Sequence, residues 1–223
     1  MARHWKIIEN ETDQPLLDFI AGNDTGSDAW HSDFIKWLDY FWSARDFRTC
    51  LDIGANIGCT TLPFARKFQH VHSFEMQSDV FECLKHNCQD YNNITLHNVA
   101  VAEKQYSGFY EIQSQGSGHV FLHPRTQKPN DSMLSVEAIR LDDHVWWEVD
   151  FIKIDVEGQE QRVLDGARNT IMMHKPWIMV ERHCTRLHTD IASRKRFFDY
   201  IKCIGYRIED IRGQDFLLVP DKY

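Results

Sequence analysis

The run Thr49-Cys50-Leu51-Asp52-Ile53 ends in Gly54-Ala55-Asn56-Ile57-Gly58, and a stretch with Leu62, Ala65 and Phe68 on one side follows it. An apolar run, a turn with two glycines and a helix-period pattern together read as strand, tight turn and helix. In an open α/β sheet this is the unit that takes a nucleotide-like ligand. The feature limits the fold sharply, because such a turn belongs at the carboxyl end of a strand in an open α/β sheet.

The rest of the chain supplies those partners. Apolar strand-like runs fall at residues 71–75, 94–101, 151–155 and 176–181, with helical patterns at 59–67, 79–91, 160–174 and 191–204. Pro63 lies in the first turn of its helix, where a missing N–H does little harm, and Gly205 closes the last one. Short β-like pieces occupy 108–112 and 120–122. Residues 124–132 read as a loop, and 133–141 alternate as another strand. Residues 206–211 and 216–219, joined by Arg212-Gly213-Gln214-Asp215, read as an antiparallel hairpin. Alternating strands and helices predict an α/β fold with a doubly wound, mostly parallel sheet and that C-terminal hairpin. Trp30, Phe34, Trp37, Leu38, Phe41 and Trp42 form a helical stripe, so residues 1–48 are expected to be a helical or extended segment packed on the sheet. Residues 49–223 form the main domain.

The 223 residues carry a formal charge of −8, which gives no basic footprint for a nucleic-acid backbone. The start of the chain has no apolar leader core, and nowhere are there about 18 consecutive apolar residues. The six cysteines form no CxxC pair, which disfavours a zinc site or a disulfide framework. A cytoplasmic location is the expectation.

Two ligands suit the first turn: a dinucleotide or S-adenosylmethionine. Gly54 and Gly58 permit close backbone approach, and the following helix N-terminus favours a carboxylate. Glu75, about 20 residues on, stands where an acid accepts from ribose hydroxyls. The run lacks GxGxxG, and Asp52 beside the turn would repel a pyrophosphate but suits an α-amino group. S-adenosylmethionine is therefore favoured. Asp155 and Glu157 in Asp155-Val156-Glu157-Gly158 and Glu181 in Glu181-Arg182-His183 end two further strands. Asp52, Glu75, Asp155, Glu157 and Glu181 are thus expected on one rim. Singly, each has a simpler role as a cap or a solvated charge.

The chain resembles the FkbM family of S-adenosylmethionine-dependent methyltransferases over about residues 49–183. The motifs are Leu51 to Gly58 with Thr61-Leu62, then Phe74-Glu75, then Ile152-Lys153-Ile154-Asp155-Val156-Glu157-Gly158-Gln159-Glu160 with Val163-Leu164-Asp165-Gly166-Ala167, and finally Val180-Glu181-Arg182-His183. The resemblance implies the class I, Rossmann-like, seven-stranded methyltransferase sheet. It implies O-methylation of a sugar, glycan or small metabolite. It also implies cofactor contacts from Asp52, Gly54, Ala55, Asn56, Gly58, Thr61, Glu75, Met76 and Asp155. Met76 stands where the family often has proline and is expected against the adenine face.

A hydroxyl acceptor must lose a proton, for which Asp155 and His183 are the candidate bases, with Glu181 orienting the acceptor. Asp155, Glu157 and Glu181 have the oxygen chemistry for Mg2+, though carboxylates alone do not establish a metal. Lys153 reads as a structural ion-pair partner. His119 and His123 lie in β or loop sequence and are discounted as a metal pair. The competing readings are an RNA 2′-O-methyltransferase, a non-catalytic S-adenosylmethionine-binding module and an NAD-dependent oxidoreductase.

Overall fold

A computed structural model describes residues 5–8, 47–112, 120–124, 133–181, 191–212 and 215–221. Its strands are β1 (Thr49–Ile53), β2 (His70–Phe74), β3 (Ile94–His97), β4 (Ala100–Val101), β5 (Tyr106–Ile112), β6 (Val120–Pro124), β7 (Met133–Ile139), β8 (Val149–Ile154), β9 (Trp177–Glu181), β10 (Tyr206–Arg212) and β11 (Asp215–Pro220). Its α-helices are α1 (Thr61–Ala65), α2 (Ser78–Cys88), α3 (Glu160–Gly166), α4 (Arg168–His174) and α5 (Ile191–Cys203).

The main sheet has seven strands in the order β10-β11-β9-β8-β1-β2-β3. β3, β2, β1, β8 and β9 pair in parallel, while β11 runs antiparallel to both β9 and β10. The chain therefore starts at the sheet centre, works to one edge, and returns to fill the other, leaving a switch point beside β1. The expected parallel sheet and C-terminal hairpin are both present.

Side-chain alternation along each strand sorts the core into two layers. Cys50, Val71, Phe151, Met179 and Leu217 face Phe64 and Phe68 on the α1 side. Leu51, Ile152, Ile178, Val180 and Leu218 face Val163, Ile171, Phe197 and Ile201 on the α3, α4 and α5 side. α2 packs beside α1 through Leu84 and Cys88, against Ala55 and Leu62.

Two expectations need correction. The strand expected over 94–101 is two strands in different sheets: β4 pairs with β7 in a second, four-stranded sheet ordered β4-β7-β5-β6. Its own apolar patch, Ala100, Ala102, Tyr110, Val136 and Ala138, gives this insertion a separate core. The helix expected over 160–174 breaks into α3 and α4 at Ala167. A Cβ on Gly166 would lie 2.1 Å from the Ala102 carbonyl oxygen, so the helix passes the second sheet too closely for any side chain. The aromatic stripe from Trp30 to Trp42 lies outside the described residues. Among the described residues, no helix is long and apolar enough to cross a membrane. Cys50, Cys59, Cys83 and Cys88 are buried and Cys203 is exposed, all as free thiols.

Gly166→Ala should cost about 1–3 kcal/mol in urea unfolding, because backbone rather than a movable side chain blocks the new methyl. Gly158→Ala is the comparison: its φ is +97 but nothing lies within 4 Å of its Cβ, so only backbone strain of about 1 kcal/mol is expected. Equal losses in the two variants would contradict the close-approach argument.

Candidate functional site

The carboxyl ends of β1, β2, β8 and β9 form the rim where the two motif turns meet. Past Ile53 the chain turns back against β2. The amides of Gly54 and Ala55 both donate to the Phe74 carbonyl at 3.0 Å. Asn56 adopts φ +50, a region open to asparagine at modest cost, and its side chain accepts from the Ile57 amide at 2.7 Å. Gly54 was expected to make room for a ligand, but its tightest neighbour is the protein itself. A Cβ there would lie 1.7 Å from the Asp155 carbonyl oxygen. The turn after β1 and the turn after β8 therefore abut, and the Asp155 amide also donates to the Ile53 carbonyl.

Behind this junction lies a buried charge cluster. Register places Asp52 beside Lys153, with Met179 beyond it on β9, all on one face. Asp52 is 0 % exposed, and its carboxylate accepts from Thr61 Oγ1 at 2.6 Å and Thr60 Oγ1 at 3.1 Å. Lys153, 2 % exposed, donates to Asp155 Oδ2 at 3.1 Å and to the Gly54 carbonyl at 3.2 Å, and sits 3.7 Å from Asp52 Oδ1. Burial alone would pull the lysine pKa down. Asp155 and Asp52 outweigh it and hold the ammonium above its ordinary value. Lys153 is thus an ion-pair partner, as read from the sequence, but it joins both motifs. Asp155 is the more accessible carboxylate, its side chain 17 % exposed against 0 % for Asp52. Glu181 stands one residue past the Ile154–Val180 pair, as Asp155 does on the neighbouring strand.

Glu75 follows β2 on the same face as Ser73 and Asp52. Its Oε2 accepts from the Asn56 amide at 3.0 Å and its Oε1 from the Gln77 amide at 2.8 Å. Burial pushes its carboxyl up to about 7, with the two amide donors offsetting part of that cost. Met76 packs against the second sheet's core. Asn98 Nδ2 donates to the Glu75 carbonyl, holding this corner at β3. On the opposite face of β2, His72 Nδ1 and His97 Nε2 lie 3.1 Å apart. Burial, then His70 and His97, push His72 down to about 4.

In the second turn Glu157 adopts φ +52, and the Gly158 amide donates to Glu160 Oε1 at 2.6 Å. Among the described residues, no three His, Cys, Asp or Glu side chains are grouped to hold a metal ion. His183 and His119 lie outside the described residues. Asn87 was missed in the sequence. It belongs to the inward stripe of α2 with Val80, Cys83 and Leu84, and a polar residue on an apolar stripe is the signal that marks it.

The strand order, with its reversed penultimate position and carboxylates at the central strand ends, defines a class I methyltransferase-like fold. Residues 52–208 match the family model of the methyltransferase FkbM domain, and the chain belongs to that family. Among solved structures it is similar to the FkbM methyltransferase of Methylobacillus flagellatus KT, with TM-score 0.55 and 21 % identity. That match covers 94 % of this chain but only 56 % of the other. It is also similar to the ribosomal protein L11 methylase of Lactobacillus delbrueckii subsp. bulgaricus, at TM-score 0.52 and 8 % identity, covering 88 % and 81 % of the two chains. A third is the magnesium protoporphyrin IX methyltransferase of Synechocystis PCC 6803 with bound S-adenosylmethionine, at TM-score 0.51 and 11 % identity, covering 96 % and 86 %. No curated protein sequence matches this chain.

Lys153→Met should cost about 3–5 kcal/mol in chemical unfolding, since it strands Asp52 and Asp155 together without a cation. Adding Asp52→Asn should recover part of that loss; strict additivity would argue against the cluster acting as a unit.

Glu75 and His72 give the cofactor-free protein opposing pH limbs. Glu75 goes from 4.5 to about 7 on folding, so its contribution is complete below 4.5 and is lost as pH rises to about 7. His72 goes from 6.5 to about 4, so its contribution is complete above 6.5 and is lost as pH falls to about 4. Thermal stability should therefore rise as pH is lowered from 8 to 6.5 and stop rising below that. A melting temperature flat over the upper range in wild type would refute the Glu75 assignment.

Proposed function

We propose that this chain transfers the methyl group of S-adenosylmethionine to a hydroxyl of a sugar, glycan or small metabolite. The observation that carries the reading is the shared rim: the FkbM motifs bring Glu75, Asp52, Lys153 and Asp155 to adjacent strand ends, with Glu181 alongside.

The donor set fits that cofactor. The Glu75 carboxylate accepts the backbone amides of Asn56 and Gln77, with the Met76 amide also acting on it, and its lone-pair sites leave capacity for a ribose hydroxyl. Asp52, Asp155 and Glu181 all act on the buried Lys153 ammonium, so this rim is built from carboxylates, the chemistry that suits an α-amino group. Asp52, fully buried, serves from behind by holding Thr60, Thr61 and Lys153, while Gly54, Ala55, Asn56 and Gly58 present the turn. Met76 supplies an apolar surface beside Glu75 for the base.

When bound, the sulfonium supplies an already activated methyl group. The chain's own task is to orient the acceptor and accept its proton. Asp155 is the accessible carboxylate next to the turn, with its Oδ2 fixed by Lys153. In our reading it takes the hydroxyl proton, and Glu181 holds a neighbouring hydroxyl. His183 remains a second candidate base by sequence. The charge of −8 supports a small or carbohydrate acceptor over RNA.

Calorimetry should show S-adenosylmethionine and S-adenosylhomocysteine binding and NAD not binding. Radiolabelled methyl should then pass to a component of a panel of glycans, lipopolysaccharide and small metabolites. Asp155→Ala should lower that transfer by about 10²–10⁴-fold. Binding of NAD alone would overturn the reading, label on RNA would move it to 2′-O-methylation, and binding with no transfer to any acceptor would favour a cofactor-binding module.

A further inference from the structure

Residues 5–8 lie far from the motifs in sequence yet against them in space. Trp5 and Ile8 pack on Ile57, Cys59, Val80 and Cys83, and Trp5 also reaches the cluster of Ala55, Leu62 and Leu84. One side chain joins this segment to the turn. Asn87, 3 % exposed on α2, accepts from the Lys6 amide at 2.8 Å and donates back to the Lys6 carbonyl at 2.9 Å. The same Nδ2 donates to the Ile57 carbonyl at 2.9 Å. The side-chain amide thus mimics a strand neighbour for Lys6 while holding the middle of the turn.

The bonds continue in one direction. Lys6 N–H points to Asn87, Asn87 N–H to Ile57, Ile57 N–H to the Asn56 side chain, and Asn56 N–H to the Glu75 carboxylate. Of these groups the Asn87 amide both accepts and donates, so it is the member that couples Lys6 to the turn. The restraint also helps hold Asn56 at φ +50, a conformation that asparagine reaches only at modest cost. Leu84 and Cys88 lie against Gly58 from the same helix, so α2 packs on the turn as well as bonding to it through Asn87.

We propose that Asn87 is a positioning residue for the cofactor turn, and that residues 5–8 belong to the cofactor-binding unit through it. The inference rests on the cofactor reading above and adds a residue and a segment outside every motif. Order at Lys6 and occupancy at Glu75 are then linked through the backbone of one turn, which Asn87 holds at Ile57 and Glu75 holds at Asn56.

The test uses the full chain with S-adenosylhomocysteine as the probe. In wild type, exchange of the Lys6 amide should slow when S-adenosylhomocysteine binds. Asn87→Ala should bind it about tenfold more weakly, the consequence of one lost buried hydrogen-bonding group. Ile201→Val, in the opposite helical layer, is the control for stability alone and should keep wild-type affinity while melting earlier. Unchanged Lys6 exchange in wild type on saturation, or affinity of Asn87→Ala within about twofold of wild type, overturns the proposal. The exchange arm needs no variant, so misfolding of Asn87→Ala leaves it decisive. Failure of wild type itself to bind S-adenosylhomocysteine instead rejects the cofactor reading, and this inference with it.

Discussion

The ammonium of Lys153 is the interaction on which the rest of the site depends. Bringing a lysine to 2 % exposure in the middle of a parallel sheet is costly unless anions meet it. Here it meets Asp155 and Asp52 and also takes the Gly54 carbonyl, so a single cation closes the ends of β1 and β8. The cluster is also why Asp52 can be wholly buried: two threonine hydroxyls and the lysine satisfy it.

Glu75 serves a similar joining purpose at β2, with different chemistry. Its carboxylate is held by backbone amides from the turn and from the start of α2, with Lys153 acting on it only through space, and burial raises its carboxyl. The rim therefore combines a carboxylate pair held by a lysine with a lone carboxylate held by amides. The first arrangement fixes geometry. The second leaves a group whose charge responds to what binds beside it.

Much of this was legible in the residues. Strand and helix alternation predicted β1, β2, β8, β9 and the closing hairpin, and the spacing from turn to Glu75 located the second rim carboxylate. The second sheet was not legible as a sheet. β4 is two residues long, and its separation from β3 depends on Asn98 reaching back to the Glu75 and Met76 carbonyls, a contact that leaves no periodic signature. The break between α3 and α4 escaped for a related reason: Gly166 looks like a tolerable helix glycine until Ala102 is placed against it. The burial of Asp52 was not legible, because the partners that enclose it left no local signature: two hydroxyls past the turn, and a lysine a hundred residues downstream that joins both motifs.

The abutment of Gly54 and Asp155 has a consequence for how such a chain can vary. The glycine of the first turn is required by a backbone carbonyl of the second, so the residue allowed at 54 is set by the path of a segment about a hundred residues away. A side chain at position 54 fits only if the backbone path of the second turn moves away. The two motifs, separated by nearly half the chain, thus share one backbone junction, and moving either into another scaffold should require the matching path of its counterpart.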